Sequence, residues 1–166
     1  AGTGVHTFNT NSQTLTGIFS IPSVNVSSGG TALFLTNTNT LTVNTSLAGT
    51  GRITQGPGAI LNIGGTSTIT NMTATAAGNT VNYTGAAQTA KNVAYENLGL
   101  AGSGAKTLQV GTNLINGNLT LSGTASTTGV TGLTIGGLVD IGSGTTFIAG
   151  SFTHNVAGNW TNNGTF

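Results

Sequence analysis

The chain has 166 residues, of which 34 are Thr, 28 Gly, 19 Asn and 12 Ser, so four small or polar types supply more than half of it. It carries three Lys or Arg and two Asp or Glu residues, a formal net charge of +1, and no cysteine. Three cations cannot neutralise a run of phosphates, so we expect no nucleic-acid binding. The lack of cysteine excludes disulfides and thiolate-ligated metal sites. Strong helix formers are scarce, which excludes a helical protein.

The N-terminus, Ala1–Gly4, has no methionine, basic region or apolar run, so we expect a processed or excised chain rather than a precursor. No apolar run approaches the roughly 18–20 residues that a membrane helix requires, so we expect no membrane insertion. The mean hydropathy of +0.18 and the alternation of apolar with polar residues favour a folded chain over a disordered linker.

Short triplets recur along the chain, most of them with apolar residues on either side of a polar or small one. Their starts are separated by 17, 20, 20, 17, 21, 20 and 21 residues, and most are followed by a turn that contains Gly or Ser. Such a period is typical of a β-solenoid, in which coils that cannot bury an inner face alone share one stacked core. The triplets are Val24–Val26, Leu41–Val43, Leu61–Ile63, Val81–Tyr83, Leu98–Leu100, Leu119–Leu121, Val139–Ile141 and Trp160–Asn162.

We therefore predict an all-β protein, a single-stranded parallel β-helix with about eight coils of roughly 20 residues over residues 23–166. An antiparallel β-sandwich is the alternative, because it also has short strands at regular spacing, but it gives no reason for one register to recur eight times. Residues 1–22 fit the repeat less well. Pro22 lacks an N–H and belongs at a sheet edge, so we predict an N-terminal cap or exchanged strand there.

The middle residue of each triplet is expected to point outward when its neighbours point inward. Stacked Asn and Thr side chains can hydrogen-bond from coil to coil, as they do in cross-β structures. We therefore predict an outward polar ladder that replaces salt bridges in this charge-poor chain. Its members are Asn25, Thr42, Asn62, Asn82, Thr120, Asp140 and Thr161, with Gly99 in the remaining triplet.

Residues for acid–base or metal chemistry are few. The only carboxylate side chains are Glu96 and Asp140, which a regular stack would hold about 10 Å apart along its axis, near the upper end for an inverting glycosidase pair. His6 and His154 lie far apart in the sequence, whereas a metal site needs at least three converging ligands. We predict no catalytic, cofactor-binding or metal-binding residues and no enzyme. A polysaccharide-acting enzyme is the least favoured hypothesis.

Four segments of the second half of the chain share a distinctive pattern: 81–89, 95–108, 117–123 and Gly158–Phe166, the last with the sequence GNWTNNGTF. They resemble repeats of very large, secreted bacterial cell-surface proteins, the adhesin-like or haemagglutinin-like arrays. The resemblance covers about residues 78–166, and Gly158–Phe166 is its most specific part. It implies an extracellular, repetitive, β-helical stalk or adhesive surface, and it implies no catalytic residues.

A rod of stacked coils has two open edges, which proteins normally cap or charge. Here Trp160–Phe166 stops inside the repeat, so we expect either a fragment of a larger array or an end that receives another subunit. A head-to-tail contact of this kind propagates into a filament, and the N-terminal segment could supply a strand to the neighbour. The side chains predicted to mediate self-association are Ile18, Phe19, Ile21, Trp160 and Phe166.

The sequence thus predicts a structural, secreted protein of the cell surface whose main partner is itself. A glycan- or ice-binding module with an exposed Thr/Asn face is the alternative. Alternating threonines occur at 36–42, 66–70 and 73–75. Ice binding requires such an array at one register on consecutive coils, and along the sequence this array shifts.

Overall fold

The computed structural model of the chain describes residues 4–10, 12–27 and 34–166. These residues form short strands and no helix. In chain order the strands are β1 (Val5–Phe8), β2 (Gln13–Leu15), β3 (Phe19–Val26), β4 (Phe34–Asn37), β5 (Thr40–Ala48), β6 (Arg52–Gln55), β7 (Ile60–Ile63), β8 (Thr66–Ser67), β9 (Asn71–Thr73), β10 (Thr80–Tyr83), β11 (Gln88–Thr89), β12 (Asn97–Leu100), β13 (Ser103–Thr107), β14 (Leu114–Ile115), β15 (Leu119–Leu121), β16 (Thr124–Thr128), β17 (Thr134–Ile135), β18 (Val139–Ile141), β19 (Thr146–Ile148), β20 (Asn155–Val156) and β21 (Trp160–Asn162).

The strands of the described residues pair only in parallel. The longest sheet has the order β1-β3-β5-β7-β10-β12-β15-β18-β21, so each strand lies beside the one that precedes it by about one coil. This is the topology of a β-solenoid, and it excludes the antiparallel sandwich. The predicted all-β solenoid of about eight coils is confirmed.

Three faces run along the solenoid. The first face contains β7, β10, β12, β15, β18 and β21, together with the first halves of β3 and β5. The second face contains β1, the second halves of β3 and β5, β8, and the sheet β11-β13-β16-β19. The third face contains the sheets β2-β4-β6-β9 and β14-β17-β20, which Tyr95 joins by bridges to Ala74 and Ile115.

Seven of the eight predicted triplets share one register on the first face. The first triplet differs, because Phe19 and Ile21 lie beside Leu41 and Val43, whereas Val24 lies beside Leu47 on the second face. Strand β3 contains both alternating stretches, with a shift of register between them. Alternation alone gives both stretches the same pattern, so it could not show which one lies on the first face.

The predicted boundary at residue 22 falls inside β3. Strand β1 pairs with the second half of β3, and β2 pairs with β4. Residues 5–8 and 13–15 therefore stack in the same way as the later coils. Pro22 lies at the register shift of β3, where a missing N–H interrupts the pairing least.

The core is a continuous stack of apolar side chains contributed by all the coils. On the first face, each coil contributes two inward-pointing residues. Equivalent residues of successive coils lie one strand spacing apart, about 4.8 Å, so they form two columns. Removing a Leu, Ile or Val side chain from water contributes about 1.5–3 kcal/mol. The fully or almost fully buried members of these columns are Leu41, Val43, Leu61, Ile63, Val81, Tyr83, Leu98, Leu100, Leu119, Leu121, Val139 and Ile141.

Two buried tyrosines fill the core of the coil that runs from β10 to β12. Tyr83 and Tyr95 have their hydroxyl oxygens 3.0 Å apart. The Tyr95 hydroxyl donates to the carbonyl of Lys91, and the N–H of Lys91 donates to the Tyr83 hydroxyl. Since Tyr95 has a single hydroxyl proton, Tyr83 must be the donor between the two phenols. The three hydrogen bonds close a ring that leaves both buried hydroxyls satisfied.

This ring makes the fold sensitive to alkaline pH. Burial raises the pKa of Tyr83 above its ordinary value of 10.0 and that of Tyr95 well above it. Above pH 10 the folded chain keeps protons that the unfolded chain releases, so the tyrosines' contribution to stability is fully present below pH 10 and is lost as the pH rises further. Burial lowers the pKa of Lys106 from 10.5. This lysine therefore makes the free energy of unfolding rise with pH, but only below pH 10.5.

We expect the free energy of unfolding, measured with urea, to fall between about pH 10.5 and 12. A Tyr83→Phe/Tyr95→Phe variant should be less stable at neutral pH, because it loses the ring, but its stability should fall less steeply over that range. An equally steep fall in the double variant would contradict the assignment to these two phenols.

Candidate functional site

The C-terminal end of the solenoid carries an exposed aromatic cluster. Trp160 lies beside Val139 and so occupies a core position of the first face, yet it is 39% exposed. The ring centroid of Phe166 lies 4.9 Å from that of Trp160 and 5.7 Å from that of Phe147. Phe147, in β19, is itself buried. The cluster therefore extends the apolar core onto the surface of the last coil.

The N-terminal end exposes the opposite edge of the same face. Phe19 shares the column of Leu41 but is 36% exposed, whereas Leu41 is fully buried. Strand β1 covers only the second half of β3, so no described strand lies beside residues 19–21 on this side. Ile21 is nearly buried, and Ile18 is 80% exposed. One core column thus begins with a partly exposed Phe and ends with a partly exposed Trp.

Part of the predicted polar ladder is joined by side-chain hydrogen bonds. The amide nitrogen Nδ2 of Asn62 donates to Thr42 Oγ1 over 3.2 Å, and that of Asn82 donates to Asn62 Oδ1 over 2.9 Å. Gly99 follows in register. A Cβ on Gly99 would lie 2.0 Å from Asn82 Oδ1, so the Asn82 amide occupies the space that any side chain would need there.

The other ladder residues have different surroundings. Thr120, Asp140 and Thr161 continue the column in register, but the structure gives no hydrogen bond between their side chains. Asn25 lies outside the column, beside Ala48 on the second face, and Ser20 holds the ladder position next to Thr42. The hydrogen-bonded part of the ladder is therefore confined to the early coils.

Substituting Asn62 tests this part of the ladder. Asn62→Ala removes one donor and one acceptor that bond to neighbouring coils, so we expect it to lower the free energy of unfolding by about 1–2 kcal/mol. The matched control is Asn113→Ala, at an exposed position whose side chain makes no hydrogen bond in the structure. Equal losses in the two variants would show that the ladder bonds contribute nothing specific.

A second polar column crosses the interior of the second face. Lys106 is 1% exposed, and its ammonium lies 2.5–3.1 Å from the carbonyl oxygens of Gly85, Ala86 and Ser103 and from Gln88 Oε1. The ammonium has three protons for these four acceptors and no carboxylate partner. Burial lowers its pKa from the ordinary 10.5. The lysine therefore joins two coils through dipoles rather than through an ion pair.

Gln88 extends this column to an earlier coil. Its Nε2 donates to the carbonyl oxygens of Ile63 and Gly65, while its Oε1 accepts from Lys106 Nζ and from the N–H of Gly85. On the other side, Thr127 Oγ1 donates to the carbonyl of Lys106. Polar side chains thus bridge the coils where the backbone pairing of the second face changes from one sheet to another.

Lys106→Met should destabilise the fold by about 2–4 kcal/mol, because it keeps most of the side-chain volume but leaves buried acceptors without a donor. Lys91→Met is the matched control, since the Lys91 ammonium makes no hydrogen bond in the structure. The control should stay within about 0.5 kcal/mol of the wild type. Thermal or urea unfolding measures both, and a Lys106→Met loss no larger than the control's would contradict the bridging role.

The acid–base candidates do not converge in the described part of the chain. Glu96 accepts a hydrogen bond from the N–H of Gly78, and Asp140 lies in the ladder column. His154 Nδ1 accepts from the N–H of Leu133, which makes Nε2 the donor to the carbonyl of Ala149. Among the described residues no three His, Cys, Asp or Glu side chains are placed to share a metal ion. His6 lies exposed in β1.

The terminal aromatic residues stood out in the sequence, whereas the buried Lys106 and its half-buried partner Gln88 did not. A lysine in an alternating segment normally faces solvent, so the sequence around Lys106 did not indicate that this side chain is buried. A weak signal existed in Ala105-Lys106-Thr107, where the small neighbours on either side leave the lysine as the only long side chain of β13.

The structure contains no helix long and apolar enough to cross a membrane among the described residues. Comparison with models of protein families, with curated proteins and with solved structures found no match to this chain.

Proposed function

We propose that this chain is a structural β-solenoid unit that associates head to tail into a secreted filament or adhesive stalk of the cell surface. The observation that carries the proposal is the match between the two open edges of the first face. Strand β21 exposes one edge, and residues 19–21 of β3 expose the other. Both belong to one parallel sheet, so a second copy can add to it without any change in strand direction.

Stacking β21 of one copy on β3 of the next would bring core positions together. Trp160 would lie beside Phe19 of the next copy, and Thr161 beside Ser20, as they would within an uninterrupted column. The contact would cover the Trp160 and Phe19 side chains, which are 39% and 36% exposed in the single chain. It would also pair the backbone N–H and C=O groups of two strand edges.

The partial coils at the two ends complement each other. The last coil supplies a strand to the first face and a single bridge, Thr146 to Thr165, to the second. The first coil supplies β1 to the second face and β2 to the third. Together they provide all three faces of one coil. Thr165 of one copy and β1 of the next both belong to the second face, so one of these exposed segments has to move when the ends meet.

Charge and composition favour such an assembly. The net charge is +1, so copies repel one another weakly. The contact is heterologous, and a contact between unlike ends that does not close into a ring extends without limit. The secreted, cell-surface location is inferred from the resemblance of residues 78–166 to surface repeats. The proposed role requires no catalytic residue.

Negative-stain electron microscopy of the purified chain tests the proposal. We expect long, uniform, unbranched fibres. Trp160→Lys and Phe19→Lys should each prevent fibre growth, because each places a charge in an edge that must be buried. The control is Val110→Lys, in which the replaced residue is 75% exposed away from both ends, and it should form fibres like the wild type.

Discrete rods near 38 Å in length, the span of eight coils at the usual strand spacing, would contradict self-assembly. Fibres that persist in both end variants would show that the chains associate through another surface. Circular dichroism of each variant establishes that the fold is retained before its fibres are counted.

A further inference from the structure

The backbone pairing of the second face is interrupted between two successive coils. Strand β8 pairs with β5, and β11 pairs with β13, but the structure gives no strand pairing between β8 and β11. The other described strands of the second face pair directly with strands of the adjacent coils, and at the last coil a single bridge joins Thr146 and Thr165. The outer surface therefore opens at this point.

A cleft of about 380 Å³ lies at the interruption. Hydroxyl groups dominate its side-chain lining: Thr66, Ser67 and Thr68 come from one coil, Thr89 from the next and Thr107 from the one after. The remaining lining residues are Gly65, Ala87, Gln88 and Ala105, which are mostly small. A volume of this size falls within the range of ligand-binding sites.

The floor of the cleft is held in place by the polar column. Both ends of the Gln88 amide are bonded, to Ile63 and Gly65 on one coil and to Lys106 on another. The Lys106 side chain is almost fully buried, and its ammonium lies among four oxygen acceptors, so it presents no charge to the opening. The site is thus formed before a ligand arrives, which reduces the entropic cost of binding.

One lining group lacks a partner. The Ser67 hydroxyl oxygen is buried and makes no hydrogen bond in the structure. Because this oxygen is inaccessible to solvent, the hydroxyls available to a ligand are those of the lining threonines. Thr66, Thr68, Thr89 and Thr107 are exposed, and Thr89 and Thr107 lie directly side by side in register. The cleft therefore presents a group of hydroxyls and methyls with no charged side chain among its lining residues.

We propose that this cleft binds a neutral carbohydrate, as an extended segment of an uncharged polysaccharide. Such a chain displays hydroxyl groups beside C–H surface, and each lining threonine carries both a hydroxyl and a methyl group. The lining offers no charge to pair with a phosphate, sulfate or uronate. This inference does not rest on head-to-tail association, because the cleft lies on a side face of a single chain.

A threonine of the next coil, outside the cleft, provides a matched control. It is Thr128 of β16, the strand that pairs with β13 through Ser103–Ala105. Thr128 is exposed like Thr89 but does not line the cleft. Thr89→Val/Thr107→Val removes two cleft hydroxyls without changing shape, and Thr128→Val removes one outside it.

Affinity electrophoresis in gels that contain dextran, xyloglucan or galactomannan tests the site. The experiment uses the full chain with Trp160→Lys, so that fibre formation does not affect migration. We expect at least one polysaccharide to retard the chain. The apparent dissociation constant should rise about tenfold in the cleft double variant and stay unchanged with Thr128→Val.

Three results would overturn the proposal: no retardation by any of the three polysaccharides, unchanged retardation of the cleft double variant, or an equal loss with Thr128→Val. An equal loss accompanied by inhibition of ice recrystallisation would assign these threonines to ordered water. The electron micrographs of the wild type are unaffected by any of these results, so the two proposals can fail separately.

Discussion

Hydrogen bonding between parallel strands of successive coils is the interaction on which the rest of this structure depends. It fixes the distance between equivalent positions of successive coils at about 4.8 Å. Each side chain must therefore be compatible with the side chains at the same position in the two adjacent coils. Like charges at that spacing repel, which accounts for a chain with only five Lys, Arg, Asp and Glu residues. Asn and Thr tolerate the repetition, because an amide can donate to one neighbour and accept from the other. Asn62 does both.

The same constraint explains where polar groups enter the interior. In the coil from β10 to β12, Tyr95 alone, through its bridges to Ala74 and Ile115, takes the place of a third-face strand, and the second face loses its pairing between β8 and β11. Hydrogen-bonded polar side chains lie near both places. Tyr83 and Tyr95 close a ring with Lys91, and Gln88 and Lys106 bridge adjacent coils. Lys106 is tolerated without a carboxylate because four oxygens surround its ammonium.

The sequence was sufficient to predict the fold class and the register of seven triplets, because a repeated pattern at fixed spacing has few other physical explanations. It was insufficient for the first triplet, since β3 contains two alternating stretches and only their partners in β5 distinguish them. Neither the burial of Lys106 nor the cleft could be predicted from the sequence. Both depend on an interruption of pairing between coils, which short segments such as Thr66–Ser67 and Gln88–Thr89 do not reveal. The threonines that share a register, Thr89 and Thr107, lie outside the alternating arrays that stood out in the sequence.

The two proposed surfaces lie in different directions, and that arrangement has a consequence for adhesion. Head-to-tail contacts use the ends of the solenoid, so they leave the second face open to solvent along its length. Each added subunit would then contribute one cleft at a fixed interval of about eight coils, or roughly 38 Å. A single shallow, uncharged site binds weakly, because it offers few directional contacts. A row of such sites along one rigid rod would engage a long polysaccharide at many points, and the effective concentration of each further site would raise the avidity by orders of magnitude. Weak recognition at each cleft and unlimited growth at the ends would together be sufficient for firm attachment.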